Sequence, residues 1–328
     1  MLRVAMLSKW HVHAQDYARQ ASAIPGVQIT VVWDEESARG REWAQSLGVP
    51  FEADLATLLA RPDVDAVIVD APTNLHPEVM MAAAQAGKHI FTEKVLALTV
   101  KEAQAIARAV EKAKVQFCIS FPHRTAPHNL FAKQVVDEKW IGDVTLMRVR
   151  NAHNGATANW LPAHFYRQDQ CGGGAMVDLG AHPMYLTRWL MGKPTKISST
   201  FTKVTDHEVE DNAVCVLEFA KGAIAIVETG FVSARSPNAL ELYGTEGTLI
   251  IGGPDNKISL FSNKVPGAVP GWITPATLPK ALPTAMEQWV GAIKNQTPIV
   301  FGMTEALELT ELMEHAYQSH REGRAVAF

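Results

Sequence analysis

Short apolar runs separated by stretches of helical periodicity organise the first third of the chain. Arg3–Leu7, Val27–Trp33, Ala66–Val69, His89–Thr92 and Gln116–Ser120 are apolar or β-branched almost without interruption, as strands buried on both faces are. Between them, His13–Ala23, Arg39–Leu47, Glu78–Ala86 and Val100–Lys112 read as helices, with Pro25-Gly26 and Gly87 as stop signals. This alternation predicts an α/β fold: a parallel, doubly wound sheet with right-handed crossovers and a ligand crevice at the carboxyl ends of its strands. Ser8, Asp34, Pro72 and Lys94 all fall there.

After about Phe121 the rhythm changes. A helix over Asn129–Lys139 precedes the alternating strand Val144–Arg150, and a second helix is predicted from about Ala175 to Met191. Val214–Phe219, Ala223–Thr229, Leu240–Tyr243 and Thr248–Ile251 then read as strands, joined at Ala220-Lys221-Gly222 and Gly244-Thr245-Glu246-Gly247 by hairpin turns. Val265–Pro283 reads as a long surface loop, and helices around Met286–Lys294 and Glu305–Arg321 close the chain. The division predicted is therefore a doubly wound domain over 1–120 and an α+β domain with a large, open, mainly antiparallel sheet over 121–328.

Composition narrows the partners. A chain of 328 residues with 47% apolar and 20% charged content suits two globular domains. The formal charge of −4, with Lys and Arg scattered, predicts no nucleic-acid or anionic-membrane surface. No apolar run is long enough to span a bilayer, and Met1–Leu7 enters a strand without the basic stretch of a signal peptide. Cys118, Cys171 and Cys215 lack metal or disulfide spacing and read as reduced thiols, so a cytoplasmic protein is expected.

Three places carry candidate chemistry. Asp34, ending the second strand, can accept both hydroxyls of an adenosine ribose, or it can cap the next helix; the residue alone does not decide. Lys94, ending the fourth strand, can donate to a substrate hydroxyl, or it can be a surface cation. In Gly172-Gly173-Gly174-Ala175-Met176-Val177-Asp178-Leu179-Gly180-Ala181-His182, the glycines admit a close backbone approach, and Asp178 and His182 share a face if both are helical. A histidine so placed can take a hydroxyl proton while a carboxylate stabilises the imidazolium; the plainer alternative is a cap and a buried histidine. His11 and His13 have an H-x-H spacing, but no carboxylate or cysteine follows nearby, and no metal is expected.

The segments "PTNLHPEVMMAAAQAGKHIFTEK", "GGGAMVDLGAH", "LELYGTEGTLII" and "AYQSHREGRAV" occur in the order in which the glucose–fructose oxidoreductase/inositol dehydrogenase (Gfo/Idh/MocA) family carries similar motifs, and the resemblance covers nearly the whole chain. It implies an NAD-binding Rossmann domain followed by a substrate-binding and oligomerisation domain. It also implies Lys94, Asp178 and His182 as the catalytic set, and Asp34, Thr73, His76, Glu93 and Lys94 near the cofactor; Ser8, Trp10, His11, Val12, Pro72 and Asn74, in the loops at the strand ends, complete the expected cofactor site. The implied cofactor is NAD rather than NADP, because Asp34 repels a 2′-phosphate.

Departures from the family pattern are local. Ser8-Lys9-Trp10-His11-Val12-His13 stands where the family has G-x-G-x-x-G, so a helix opening near His11 is expected to aim its amides at the pyrophosphate. Trp10 either enters the active site or plugs the shortened turn. Val95 replaces a proline after Lys94, which predicts a trans peptide. Tyr185 replaces a carboxylate and is expected to reshape the substrate pocket only. His123, Arg124, His153, Trp160 and Tyr166, with Phe121, Asn151, His164 and Arg167, combine aromatic faces and polar donors suited to a polyhydroxylated ligand.

The reading is an NAD-dependent dehydrogenase of a sugar, cyclitol or related polyol, a homo-oligomer (dimer or tetramer) formed through its second sheet. Two alternatives stay open. One is an enzyme that recycles a tightly held NAD while acting on a glycoside; the other is a non-catalytic sugar or dinucleotide sensor.

Overall fold

The computed structural model describes residues 1–265 and 271–328 and divides into two units. Met1–Phe121 and Pro283–Thr310 form the first, Pro122–Leu282 and Glu311–Phe328 the second.

In the first unit, β1 (Leu2–Leu7), α1 (Ala14–Ala23), β2 (Val27–Trp33), α2 (Ser37–Leu47), α3 (Leu55–Leu59), β3 (Ala66–Val69), α4 (His76–Gln85), β4 (His89–Thr92), α5 (Val100–Ala113) and β5 (Phe117–Ile119) succeed one another. The strands pair in parallel in the order β2-β1-β3-β4-β5. All four residues of β3 are buried, which is why that segment reads as continuous rather than alternating. Local signals set several helix ends. Thr99 and Glu102 form a reciprocal capping box at α5, and Gly48, at φ +69°, terminates α2.

In the second unit, α6 (Pro127–Asp137), β6 (Val144–Ala152), α7 (Gln168–Cys171) and α8 (Ala181–Met191) precede a run of strands: β7 (Lys196–Thr202), β8 (Asn212–Glu218), β9 (Ile224–Gly230), β10 (Ala239–Gly244), β11 (Gly247–Gly252), β12 (Lys257–Ser262) and β13 (Trp272–Ile273). With the final β14 (Val326–Ala327) they form one nine-stranded sheet among the described residues, in the order β13-β12-β11-β10-β6-β9-β8-β7-β14. Every neighbouring pair is antiparallel except β6 and β9. Burial alternates along β8, with Ala213, Cys215 and Leu217 inward.

Four differences from the sequence reading stand out. Helix α8 opens at Ala181, not Ala175, because the glycine segment before it forms turns. Strands β7, β12, β13 and β14 were not expected; β7 (KISSTFT) is too polar to read as one. Within the loop Val265–Pro283, residues 266–270 lie outside the described residues, while Trp272–Ile273 pairs with β12. Finally, 283–310, placed with the second domain by sequence, returns to the first unit with α9 (Ala285–Asn295) and the start of α10 (Met303–Glu322). Its anchors are apolar: Trp289 meets Phe91 at 5.7 Å and Phe301 meets Phe121 at 6.5 Å between ring centroids.

Candidate functional site

In the first unit, Ser8 follows β1 with φ +75°, the left-handed value that a glycine supplies in a G-x-G-x-x-G turn. The turn is closed on itself. Lys9 N donates to Asp34 Oδ2 (2.9 Å), Trp10 N to Ser8 Oγ (3.0 Å), His11 N to Asp70 O (3.1 Å) and His13 N to His11 Nδ1 (3.2 Å). A helix aiming free amides from His11 was expected; α1 opens at Ala14 instead, and these amides are engaged within the chain. Ser8 Oγ and His11 Nδ1 are the reason, since glycines would offer no side-chain acceptors. Trp10 is buried, and Val12 is exposed.

Asp34 is buried at the end of β2. Besides Lys9 N and Arg39 Nε (3.0 Å) on Oδ2, its Oδ1 accepts Glu36 N (2.8 Å) and Arg39 Nη2 (2.7 Å). Four bonds fill the carboxylate's lone-pair sites. Asp34 thus stitches the β1–α1 turn to the start of α2, with Arg39 as its counter-ion.

Glu93 and Lys94 follow β4, and both are buried. Lys94 N donates to Glu93 Oε1 (3.0 Å), and Lys94 Nζ lies 4.0 Å from the same oxygen. The Tyr17 hydroxyl donates to Oε2, which also faces His13 Nδ1 at 3.1 Å. Burial alone would raise the Glu93 carboxyl; His11, the bond to His13 and Lys94 together outweigh it and hold it well below the usual range. Asp70, just past β3, is fully buried, and neither carboxylate oxygen has a partner among the described residues. Burial and then the charge of Glu93 push it well above the ordinary value. His76 is structural in its contacts: it hydrogen-bonds Val95 O (2.9 Å) and Ala71 O (3.0 Å), tying the segment after Lys94 to the end of β3. Pro72 accepts Leu75 N (2.9 Å) at the short helical turn of Thr73, Asn74 and Leu75. The Lys94–Val95 peptide is cis, where trans was expected.

Sequence reasoning missed Tyr17 and Asp70 here, and it found no carboxylate for His11 and His13. Glu93, 80 residues beyond His13, supplies one. An acidic residue closing the otherwise apolar run Ala66–Asp70 was the available signal for Asp70.

In the second unit the glycine motif approaches protein, not ligand. A Cβ on Gly173 would lie 2.0 Å from Tyr317 Oη, and one on Gly174 would lie 2.0 Å from Glu210 O. The buried Glu210 side chain accepts Gly174 N (3.0 Å), Met176 N (3.0 Å) and the Tyr317 hydroxyl (2.6 Å). Asp178 therefore lies in a turn before α8 and not on one helix face with His182. Burial lowers the His153 imidazole, and the charge of Asp178 partly offsets this.

His182 is buried in the first turn of α8. Its Nδ1 is 2.9 Å from Tyr185 Oη, which accepts His123 N at 3.1 Å. The His123 ring stacks on His182 at 4.3 Å with a 13° tilt. Tyr185 thus fixes the orientation of His182, a function the sequence reading did not give it.

The substrate-side candidates separate. His153 lies between Trp160 (4.5 Å) and Phe231 (5.1 Å), and Trp160 is 55% exposed. Tyr166 stacks on His207 at 3.6 Å, packs in an apolar cluster with Phe165 and Phe231, and leaves its hydroxyl without a partner among the described residues. Arg124 lies over Trp189 at 4.9 Å, and His164 packs on Phe165 at 5.1 Å. Asn151 and His123 line a pocket of about 430 Å³ together with Pro183 and Leu186. Arg167 pairs with Asp169 on the surface (2.8 Å), and Phe121 is core in the first unit.

Comparison with known proteins gives the context. Residues 7–121 match the family model "Oxidoreductase family, NAD-binding Rossmann fold", and residues 130–250 match "GFO/IDH/MocA C-terminal domain". A scyllo-inositol 2-dehydrogenase (NAD(+)) of Bacillus subtilis (strain 168) is 30% identical over 239 residues, covering 70% of this chain and 68% of the relative. A myo-inositol 2-dehydrogenase of Thermotoga maritima is 26% identical over 246 residues, covering 73% and 70%. The crystal structure of GenD2 from gentamicin A biosynthesis, in complex with NAD, superposes with a TM-score of 0.83 at 25% identity, covering 100% of this chain and 96% of that one. The chain is an oxidoreductase of the Gfo/Idh/MocA family, with the family's NAD-binding Rossmann domain at its N-terminus.

Proposed function

We propose that this oxidoreductase is an NAD-dependent dehydrogenase that oxidises a secondary alcohol of a sugar, cyclitol or related polyol. The observation that carries the reading is a buried lysine, Lys94, held beside a buried carboxylate at the carboxyl end of a parallel sheet. A cation in that place is suited to a hydroxyl that must lose its proton. The inositol dehydrogenases among the relatives support the substrate class.

The first unit fits a dinucleotide at the left-handed Ser8 turn and at the buried Asp34. With its lone pairs filled, Asp34 reaches a ribose diol once Arg39 gives way; Lys9 and Arg39 then supply positive charge near phosphates that the engaged amides do not. When bound, NAD accepts hydride from the carbinol carbon. His182 takes the hydroxyl proton at Nε2, which requires Nδ1–H to face Tyr185 Oη. That oxygen already accepts His123 N and has a second lone pair for Nδ1–H. Lys94 donates to the reacting oxygen and lowers the alcohol's pKa, and Asp178 adds the negative charge that favours the imidazolium. Trp160 and His153 offer a half-open aromatic face to the ring C–H groups of a sugar.

Homo-oligomerisation through the second sheet belongs to the same proposal. Val214, Val216, Ile224 and Ile226 share one face with Arg148 and Glu228, on the side opposite the buried residues. No described helix is long and apolar enough to cross a membrane. A cytoplasmic location is consistent with three free, buried thiols. The test is absorbance of reduced nicotinamide when purified protein meets NAD or NADP with a panel of inositols, sugars and sugar acids. Reduction of NAD by at least one polyol is expected. No reduction across the panel, despite measured NAD binding, would refute a dehydrogenase, and glycoside cleavage under those conditions would replace it with a recycling enzyme.

A further inference from the structure

We propose that His11, His13 and Glu93 form a binding site for a divalent cation of the zinc type at the carboxyl end of the first unit's sheet. One ligand atom from each residue lies within 4.8 Å of the other two. All three belong to the first unit, so the cluster depends on β1, β4 and the turn before α1 alone. His11 and Glu93 are buried, whereas the His13 side chain is 42% exposed, which leaves a route for an ion from solvent.

The donor set is specific. Two imidazoles and one carboxylate are the protein ligands of open zinc sites, in which a fourth position stays free for water or substrate. Metal–ligand bonds of about 2.0–2.2 Å place tetrahedral ligand atoms about 3.3–3.5 Å apart. His13 Nδ1 and Glu93 Oε2 already stand at 3.1 Å, so the cluster has to contract mainly about His11. Supporting groups are in place. The Tyr17 hydroxyl bonds both Glu93 Oε2 and Ser120 Oγ, fixing the carboxylate as outer partners of metal ligands do.

Asp70 is the independent observation. It is a second fully buried carboxylate, and neither of its oxygens has a hydrogen-bond partner among the described residues. Its backbone carbonyl accepts His11 N at 3.1 Å, and its charge bears on Tyr17, the residue bonded to Glu93. Buried ionisable groups without partners are rare and costly. A divalent cation between the histidines and Glu93 adds positive charge to this buried, acid-rich end of the sheet, next to the residue whose backbone holds His11. Lys94, 4.0 Å from Glu93 Oε1, is the competing cation. Cation binding displaces two contacts: His13 to Glu93, and the 3.2 Å bond from His13 N to His11 Nδ1, which has to yield if His11 ligates through Nε2. Each is a single hydrogen bond, exchanged for a metal bond.

The experiment uses the whole chain without nucleotide, so its outcome is independent of the dehydrogenase reading. Protein stripped with chelator is titrated with Zn²⁺ by calorimetry, and separately with Co²⁺, whose visible absorption reports the geometry of the ligands. We expect one zinc per chain with micromolar or tighter affinity, and a cobalt spectrum of low coordination number. His13→Ala, at a half-exposed position, should weaken zinc at least 100-fold, and Glu93→Gln should do the same; circular dichroism reports the fold of each. The proposal is overturned if wild type binds less than half an equivalent, or if both variants bind zinc as tightly as wild type. The latter result assigns the ion to scattered surface histidines.

Discussion

Gly174→Ala tests how the turn before His182 is built. The new Cβ falls 2.0 Å from the backbone carbonyl of Glu210 and 2.7 Å from a Val209 methyl. Neither is the free end of a flexible chain, so the turn itself must move. Overpacking of this kind costs about 1–3 kcal/mol. Moving Gly174 away also lengthens the bonds from Gly174 N and Met176 N to the Glu210 carboxylate, each worth about 1.5–3 kcal/mol with a charged partner. These effects overlap, so the expected loss is about 3–5 kcal/mol, or about 6–20 °C in Tm at 2–4 °C per kcal/mol. Turnover should fall as well, because displacement by about 1 Å at a catalytic group can cost 10²-fold. Urea unfolding followed by circular dichroism gives the first number and steady-state kinetics the second. Gly302→Ala is the control: its Cβ meets only the tip of Glu305, at 3.7 Å, and should cost no more than about 1 kcal/mol, the penalty for alanine at the N-cap of α10. If Gly174→Ala costs under about 1 kcal/mol, the tight approach to Glu210 does not constrain this turn.

Three other outcomes are expected. Tyr185→Phe removes the hydroxyl that orients His182 and should lower turnover about tenfold, one hydrogen bond's worth, with little change in NAD affinity; unchanged turnover would make Tyr185 a packing residue. Arg39→Ala unburdens Asp34 and should raise the preference for NAD over NADP, read as the ratio of the two dissociation constants; a shift toward NADP would show that Asp34 is not the discriminating group. Asp70→Ala should stabilise metal-free protein by about 1–3 kcal/mol at neutral pH, since a buried group with no partner among the described residues is removed. Because the Asp70 pKa is raised on folding, the stability it contributes is present below its ordinary value of 3.8 and is lost as pH rises through the raised one. The gain in Tm from Asp70→Ala should therefore shrink toward pH 4, and a gain independent of pH would contradict this.

The first unit was legible because its strands are buried on both faces, so Ala66–Val69 and Val27–Trp33 announce themselves without context. Asp34 and Lys94 stood out because each closes a strand run, whereas His182 stood out only through its spacing from Asp178 and the family resemblance. What stayed hidden depends on distant partners. Nothing near Glu93 marks Tyr17, which lies 76 residues away and faces it only once β4 packs beside α1. The opening of α8 at Ala181 follows turns out of α register, in which Gly180 N bonds Ala175 O and His182 N bonds Leu179 O. Likewise, Trp289 and Phe301 look like ordinary core residues in sequence; their partners Phe91 and Phe121 return the segment to the first unit. Arg167 and Tyr166 resembled sugar contacts by type alone, and an ion pair and an apolar cluster account for them.

The most direct test of the central claim is turnover of His182→Ala and Lys94→Ala with NAD and a polyol that wild type oxidises, alongside NAD affinity measured by calorimetry. Loss of a positioned general base typically costs about 10²–10⁴ in rate. We predict that loss for His182→Ala at nearly unchanged NAD affinity, and a comparable loss for Lys94→Ala with weaker binding of cofactor or substrate. Retention of more than about a third of wild-type turnover by His182→Ala, far above the range for a lost base, would contradict the assignment and leave His182 a buried structural histidine.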